Sequence, residues 1–240
     1  MSHIRNQLNH HDHDFVKKFV PYFQFFEKYF RYDVVGIEKI PKKACLVVMN
    51  HGIIPFNGFL LTKALIEKRN IYPRGLGAGF LFSIPYVRDF FLKGGAVNAN
   101  PKNAKELLKQ GNVVLLAPGG IYEALVAEPG MKRIPWERRS GFVRMGVETG
   151  VPIVPTYCDG LNELYYNSKF LLKIRIRFLE TLRFSLPFFY GLGLLPFPNK
   201  LTHYIGKPIS TKRKKGESVD KAIRRIHNEV IVAMQKLQNF

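Results

Sequence analysis

"CLVVMNHGIIPFNGFLLTKALIEKR", residues 45–69, holds the two periodicities that decide the fold. Cys45 to Met49 form an unbroken apolar run, which reads as a strand buried on both faces, because a strand with one wet face would alternate. Residues 56–69 read as a helix that begins near Pro55, a residue at home in a first helical turn. Asn50, His51 and Asn57 stand at or near the loop between them.

Downstream the alternation repeats. Residues 83–93 read as a helix, and 101–111 as another, capped by Asn100 and ended by Gly111. Residues 113–118 read as a strand, 141–150 as a helix stopped at Gly150, and 151–157 as a strand. Strands separated by helices predict an α/β fold: a single domain with a mixed, mostly parallel sheet flanked by helices. A chain of 240 residues and 27.7 kDa folded as one unit buries roughly three quarters of its extended surface, enough for one core.

Upstream, residues 15–31, "FVKKFVPYFQFFEKYFR", place Phe15, Phe19, Tyr22, Phe23, Phe26 and Phe30 on one helical face with Lys17, Gln24, Lys28 and Arg31 opposite. Such a segment suits either packing on a core or lying in a membrane interface. Pro21 kinks this helix or marks its true start. The chain therefore divides into residues 1–32, a polar end with an amphipathic aromatic helix, and residues 33–240, the main domain. "HHDHD", residues 10–14, reads as a polar, mobile end rather than a metal site. Past residue 165, Lys173, Arg175 and Arg177 alternate with apolar residues as in a strand, and a Pro/Gly-rich aromatic loop follows. The chain closes in a helix with Val219, Ile223, Ile226, Val230, Ala233 and Leu237 on one face, after the basic run "KRKK" at 212–215.

Composition narrows the function classes. Lys plus Arg number 37 against 18 Asp plus Glu, for a net charge of +19. That surface attracts polyanions: nucleic acid, anionic lipid or phosphate-bearing molecules. No recognition helix, RNA-binding motif or zinc module accompanies the charge, so no specific nucleic acid is expected. Cys45 and Cys158 lie in apolar strand-like stretches and read as core thiols in a reducing compartment, not as a disulfide framework. No signal peptide and no clean apolar span are expected, since Asn50, His51 and Asn57 interrupt residues 44–61 and prolines and glycines interrupt 184–198.

Three constellations can carry chemistry. His51 sits just past the end of a buried strand, on the rim where open α/β sheets bind ligands, and a histidine there serves as a general base near neutral pH. A base needs its tautomer held; no acid lies within five residues, and Asn57 is the polar candidate for that task. In "APGGIYEA", residues 117–124, the Gly119–Gly120 turn follows a strand and offers backbone N–H groups to an oxyanion or phosphate, with Glu123 three residues on. Arg138, Arg139 and Arg144 stand at a helix start, suited to phosphate or carboxylate pairing. "GLGAG" lacks dinucleotide spacing, "PGG" lacks the lysine of a P-loop, and neither a serine elbow nor Cys/His metal spacing is present.

Read in order, "APGGIYEALVAEPGMKRIPWERRSGFVRMGVETGVPIVPTYCDGLNELYY" (117–166) and "GLLPFPNKLTHYIGKPIS" (193–210) resemble the glycerolipid O-acyltransferase superfamily, most closely its monoacylglycerol/diacylglycerol acyltransferase-type branch. The resemblance covers roughly residues 33–240. Phospholipid-acylating members carry N-H-x-x-x-x-D, and many bacterial relatives N-H-S-G-x-x-P-x-D-G. Here "NHGIIPFNG" keeps Asn50, His51, Gly52, Pro55 and Gly58, is one residue shorter and has Asn57 in place of the acid.

The resemblance implies an acyltransferase domain over 33–240 that binds no cofactor. An acyl thioester of coenzyme A or acyl carrier protein would be the co-substrate and a glycerolipid the acceptor. It implies His51 as the base that deprotonates the acceptor hydroxyl and Asn57 as its orienting partner. Gly119, Gly120 and Glu123 would hold the acceptor's polar head, and Arg138 and Arg139 a phosphate. Acylation of a lysophospholipid and silent lipid binding, with Asn57 replacing the acid, are the competing expectations. Both substrates have long apolar tails, so residues 15–31 and 184–197 are expected to seat the protein on an anionic leaflet, on the cytoplasmic side of a membrane as a peripheral or monotopic protein.

Overall fold

The structure, a computed structural model, describes residues 8, 10–131, 133–182 and 188–240. In chain order it runs α1 (His13–Phe19), α2 (Phe23–Tyr29), β1 (Asp33–Val35), β2 (Cys45–Met49), α3 (Phe56–Arg69), β3 (Arg74–Gly77), α4 (Pro85–Lys93) and β4 (Val97–Asn98). Then come α5 (Pro101–Lys109), β5 (Val113–Leu116), α6 (Gly120–Val126), α7 (Gly141–Thr149), β6 (Ile153–Asp159), β7 (Tyr166–Asn167), α8 (Leu172–Leu182), β8 (Phe189–Tyr190), β9 (Thr202–Ile205) and α9 (Val219–Leu237).

Seven strands form one sheet in the order β1-β9-β6-β2-β5-β3-β4. Every neighbouring pair is parallel except β6 and β9. β2 lies between β6 and β5, with Leu46 opposite Ile153 on one side and Val114 on the other. Its five residues are all buried, and side-chain alternation divides them between two cores. Leu46 and Val48 join the apolar sides of α5, α7 and α9; Cys45, Val47 and Met49 join Leu61 and Leu65 of α3. This is the expected mixed, mostly parallel sheet with helices on both faces, in a single domain.

Several helix ends follow their local chemistry. Asn100 accepts a hydrogen bond from the Asn103 N–H at 2.8 Å and opens α5, satisfying one of the orphan donors of a first turn. Gly150, left-handed at φ +72°, closes α7. Cys45 and Cys158 are buried and free, as read from their settings, and burial pushes the Cys45 thiol up to about 12.

One open reading narrows and two expectations change. The aromatic segment breaks at Pro21 into α1 and α2, and most of its rings pack inward. Phe15 and Phe19 meet Phe90, Phe23 stacks on Phe59 at 5.2 Å, and Phe26 and Phe30 meet Phe56. Tyr22 and Phe25 alone of its large rings are left strongly exposed.

Residues 10–14 are not a mobile end. Asp12 caps α1 by accepting from the N–H groups of Asp14 and Phe15, both at 3.0 Å, and His13 stacks on Tyr72. Residues 172–182 are helix α8, not strand: Leu172, Ile176 and Leu179 recur at helical spacing toward the domain and Arg175 is buried among them. Residues 184–187 of the aromatic loop lie outside the described residues. Among those described, no helix is long and apolar enough to cross a membrane.

Candidate active site

β2, β5 and β6 end on one rim of the sheet, and the loops that follow them carry His51, Gly119 and Gly120, and Gly160 to Glu163. Asn50 fixes the first loop. Its amide donates to the Cys158 carbonyl at 2.9 Å and accepts from the Cys158 N–H at 2.8 Å, so one side chain satisfies both backbone groups of a residue on β6. Asn57, fully buried at the start of α3, donates from Nδ2 to the Asn50 carbonyl at 2.8 Å. A Cβ on Gly52 would stand 2.8 Å from Leu161 Cγ, so only glycine lets the loop pass so close beneath that side chain.

His51 is thus held from both sides. Its Nδ1 is 2.5 Å from the Gly52 carbonyl oxygen. A carbonyl only accepts, so Nδ1 carries the hydrogen and Nε2 presents its lone pair. Burial lowers the imidazole pKa below its usual value, with the Gly52 carbonyl opposing in part. The ring is therefore neutral at pH 7, the state a general base needs. Asn57, expected to orient His51, donates to the Asn50 carbonyl one residue earlier, and the bond that the His51 ring itself makes is to the Gly52 carbonyl.

Glu123 joins this site through α6. Gly120 adopts φ +51°, and a Cβ on Gly119 would collide with the Glu123 carboxyl. The two glycines therefore let a buried carboxyl fold back over its own turn. The N–H of Gly120 donates to the Ala117 carbonyl at 3.1 Å, so that donor is not offered to a ligand. Burial raises the Glu123 pKa to about 7; the Trp136 indole and the His51 backbone N–H, both donating to it, limit the rise. The indole bond is 2.8 Å long, and Trp136 is itself fully buried, its carbonyl held by His227 of α9 at 3.1 Å.

Asn167 secures the other end of α6. Its Nδ2 lies within 3.1 Å of the carbonyls of Ala124, Leu125 and Ala127, which the helix end leaves without intrahelical partners. Arg138 and Arg139 are exposed on the turn after Trp136, with the Arg139 guanidinium 5.9 Å from the Tyr122 ring. They lie along the chain from Glu123's partner and form no part of the buried His51–Glu123 centre.

Two shallow crevices flank that centre, sharing Ala127 and Asn162. One brings Asn50, Glu123, Arg133 and Gln238 together with Met131 and Ile134. The other has Ile53, Leu161 and Tyr165. Among the described residues no group of three or more His, Cys, Asp or Glu side chains is arranged to hold a metal ion. The chemistry available is proton transfer at Nε2 of His51, with a carboxyl that titrates near neutrality bound to the backbone N–H of the same residue. Asn50 adjoins the histidine in the quoted motif, but the tasks of Trp136 and Asn167 had no local signal: each acts on Glu123 or α6 from a remote segment.

Comparison with known proteins gives the family and the fold. The family model of diacylglycerol acyltransferases matches residues 6–240. The chain is 32% identical to diacylglycerol O-acyltransferase 2A of Umbelopsis ramanniana over 173 residues, 65% of this chain and 48% of that protein. It is 29% identical over 240 residues to diacylglycerol O-acyltransferase 2-like protein 6 of Bos taurus, 89% of this chain and 71% of the relative. It thus spans about half the length of the first relative. The crystal structure of a 1-acyl-sn-glycerophosphate acyltransferase from Thermotoga maritima shares the fold, with a TM-score of 0.58 and 19% identity over 94% of this chain and 81% of that one.

Proposed function

The chain belongs to the diacylglycerol acyltransferase family, and on that premise we propose that it is an O-acyltransferase acting on a glycerolipid. It moves a fatty acyl group from a thioester of coenzyme A or acyl carrier protein to the hydroxyl of a mono- or diacylglycerol. The observation that carries the reading is the His51 ring, held by the Gly52 carbonyl so that Nε2 is the basic nitrogen, with the buried Glu123 carboxyl accepting from the backbone N–H of the same residue.

The acceptor hydroxyl oxygen attacks the thioester carbonyl carbon while Nε2 of His51 takes its proton. The tetrahedral intermediate collapses, the carbon–sulfur bond breaks, and the departing thiolate recovers that proton from the imidazolium. No covalent intermediate forms on the protein. Glu123, close to the His51 backbone, hydrogen-bonds the acceptor's hydroxyl groups, and Gly119 and Gly120 give the carboxyl room. Asn57 and Asn50 hold the loop that aims His51. Arg138 and Arg139 meet a donor phosphate from the rim. Both substrates carry long apolar chains, and the net charge of +19 supports a peripheral or monotopic seat on an anionic leaflet.

Mass spectrometry of lipids formed from mixed thioesters and acceptors, with release of free thiol, tests the reading. Wild type makes di- or triacylglycerol and His51→Ala does not. A product from lysophosphatidic acid alone would move the assignment to a phosphorylated acceptor. Absence of thiol release with every acceptor would leave a lipid-binding protein without turnover.

A further inference from the structure

Among the described residues, eleven of twenty large apolar side chains that stand exposed fall between Tyr166 and Leu195. They belong to α8, the β7–β8 hairpin and the loop after it. On α8, Ile174, Phe178 and Leu182 repeat every four residues and are each at least half exposed, forming one stripe along the helix. The opposite side, Leu172, Ile176 and Leu179, faces the domain, where α8 packs on α6. Lys173 and Arg177 are exposed and border the outer stripe on one side.

The platform is built, not frayed. The buried Arg175 donates to the carbonyls of Ser168 at 2.8 Å and Phe170 at 3.2 Å, and its guanidinium lies 5.0 Å from the Phe188 ring. It therefore clasps α8 to the segments on both sides of the hairpin. Tyr166 and Tyr190 pair across β7 and β8 at 4.8 Å. A helix with apolar side chains on its inner and outer sides, and cations along one edge, satisfies its own domain with one side and leaves the other for an apolar surface.

We infer that the α8 and β7–β8 face is the surface by which this protein docks on an anionic lipid leaflet. The cations edging the stripe and the strong net positive charge choose a charged bilayer over a neutral one. Position agrees with the proposed acyl transfer, and this point alone rests on that reading: Asn167 of β7 lines the Ile53–Leu161–Tyr165 crevice, and Tyr165 meets Phe189 of β8 at 4.9 Å, so the docking face adjoins the crevice beside the proposed centre. Here α1 and α2, whose rings pack inward, are not the seat.

Flotation with phosphatidylcholine vesicles, with and without phosphatidylserine, tests this on the full chain. Wild type binds the phosphatidylserine vesicles, and Ile174→Glu with Phe178→Glu lowers the partition about tenfold or more. Tyr22→Glu with Phe25→Glu, exposed on the turn before α2 and on α2, changes it less than about twofold. Equal binding by wild type and the α8 variant, a loss with the Tyr22 and Phe25 variant instead, or no binding by wild type overturns the inference. So does a wild-type dimer in sedimentation that the α8 variant breaks, since the face would then join two copies.

A polarity-sensitive dye on Phe178→Cys gives a second reading that needs no disruptive charge, because Cys45 and Cys158 are buried. Its emission shifts to the blue on anionic vesicles, while the dye on Tyr22→Cys stays unchanged; the reverse pattern overturns the inference. Vesicle binding is read without turnover, so a chain that released no thiol would sink the acyl-transfer reading and leave this result standing.

Discussion

His51 and His203 are held by the same kind of bond in opposite ways. At the rim, Nδ1 of His51 donates to the Gly52 carbonyl and Nε2 carries the lone pair. Inside the sheet, the Thr156 hydroxyl donates to the Val48 carbonyl at 3.1 Å, so its oxygen accepts from Nε2–H of His203 at 3.1 Å. Nδ1 of His203 then accepts from the Tyr32 hydroxyl at 3.2 Å. Burial drives the His203 pKa down to about 3 and that of His51 below its ordinary value. Both rings are therefore neutral at pH 7. What separates the structural histidine from the proposed base is a nitrogen left over for chemistry, not a shift in pKa.

Exchanging each ring sharpens the contrast most. His51→Ala should lower thiol release by about 10² to 10⁴ while urea unfolding moves little. His203→Ala should lower stability by about 3 kcal/mol, because a ring-sized cavity opens and the Thr156 and Tyr32 hydroxyls lose their partner. An unfolding midpoint that shifted more for the rim variant would break the distinction.

Asn57→Asp asks whether the rim histidine lacks a carboxylate. The Asn57 Nδ2 donates to the Asn50 carbonyl in a fully buried setting, and an ionised aspartate has no hydrogen to give. The expected outcome is a loss of about 1–3 kcal/mol and no gain in rate. A faster enzyme of unchanged stability would show that Gly52 alone holds His51 poorly.

Acidification separates the two by pH. His203 binds its proton in the unfolded chain near pH 6.5 and in the folded chain only near 3. Its contribution is therefore complete above about pH 6.5 and is lost on falling from there toward 3, at up to about 1.4 kcal/mol per pH unit. His203→Gln should flatten that slope in urea titrations. The rate should instead rise with pH through two groups, His51 below 6.5 and Glu123 near 7. Glu123→Gln should remove the upper limb and leave the lower, read as kcat/KM against pH. Smallest is Arg138→Ala, which should raise the donor KM by less than about tenfold, a charge on an exposed turn being screened by water and salt.

Much of this was legible. The apolar run at 45–49, the helix after Pro55 and the capping residues Asn100 and Gly150 are local signals, and each led to the element it predicted. The short strands β3 and β4 have no sequence signal, because "RGLG" and two further residues carry no period long enough to detect. Residues 172–182 satisfied both a period of two and a helical one, and packing on α6 decided between them. The two aromatic segments teach the same point. Residues 15–31 hold eight Phe and Tyr rings and residues 166–195 seven, yet the first segment meets Phe56, Phe59 and Phe90, while among the described residues more than half of the exposed large apolar side chains belong to the second.

The sequence by itself determined the α/β alternation, the histidine at a strand end, the paired glycines before Glu123 and the family resemblance, because each is written in neighbouring residues. Only the tertiary structure decided which polar group holds His51, that the glycines exist to admit the Glu123 carboxyl, and which aromatic surface stays uncovered. Those depend on contacts between segments such as Trp136 with Glu123 and Asn167 with the end of α6. Their strength comes from burial, which no stretch of chain carries until the others close over it.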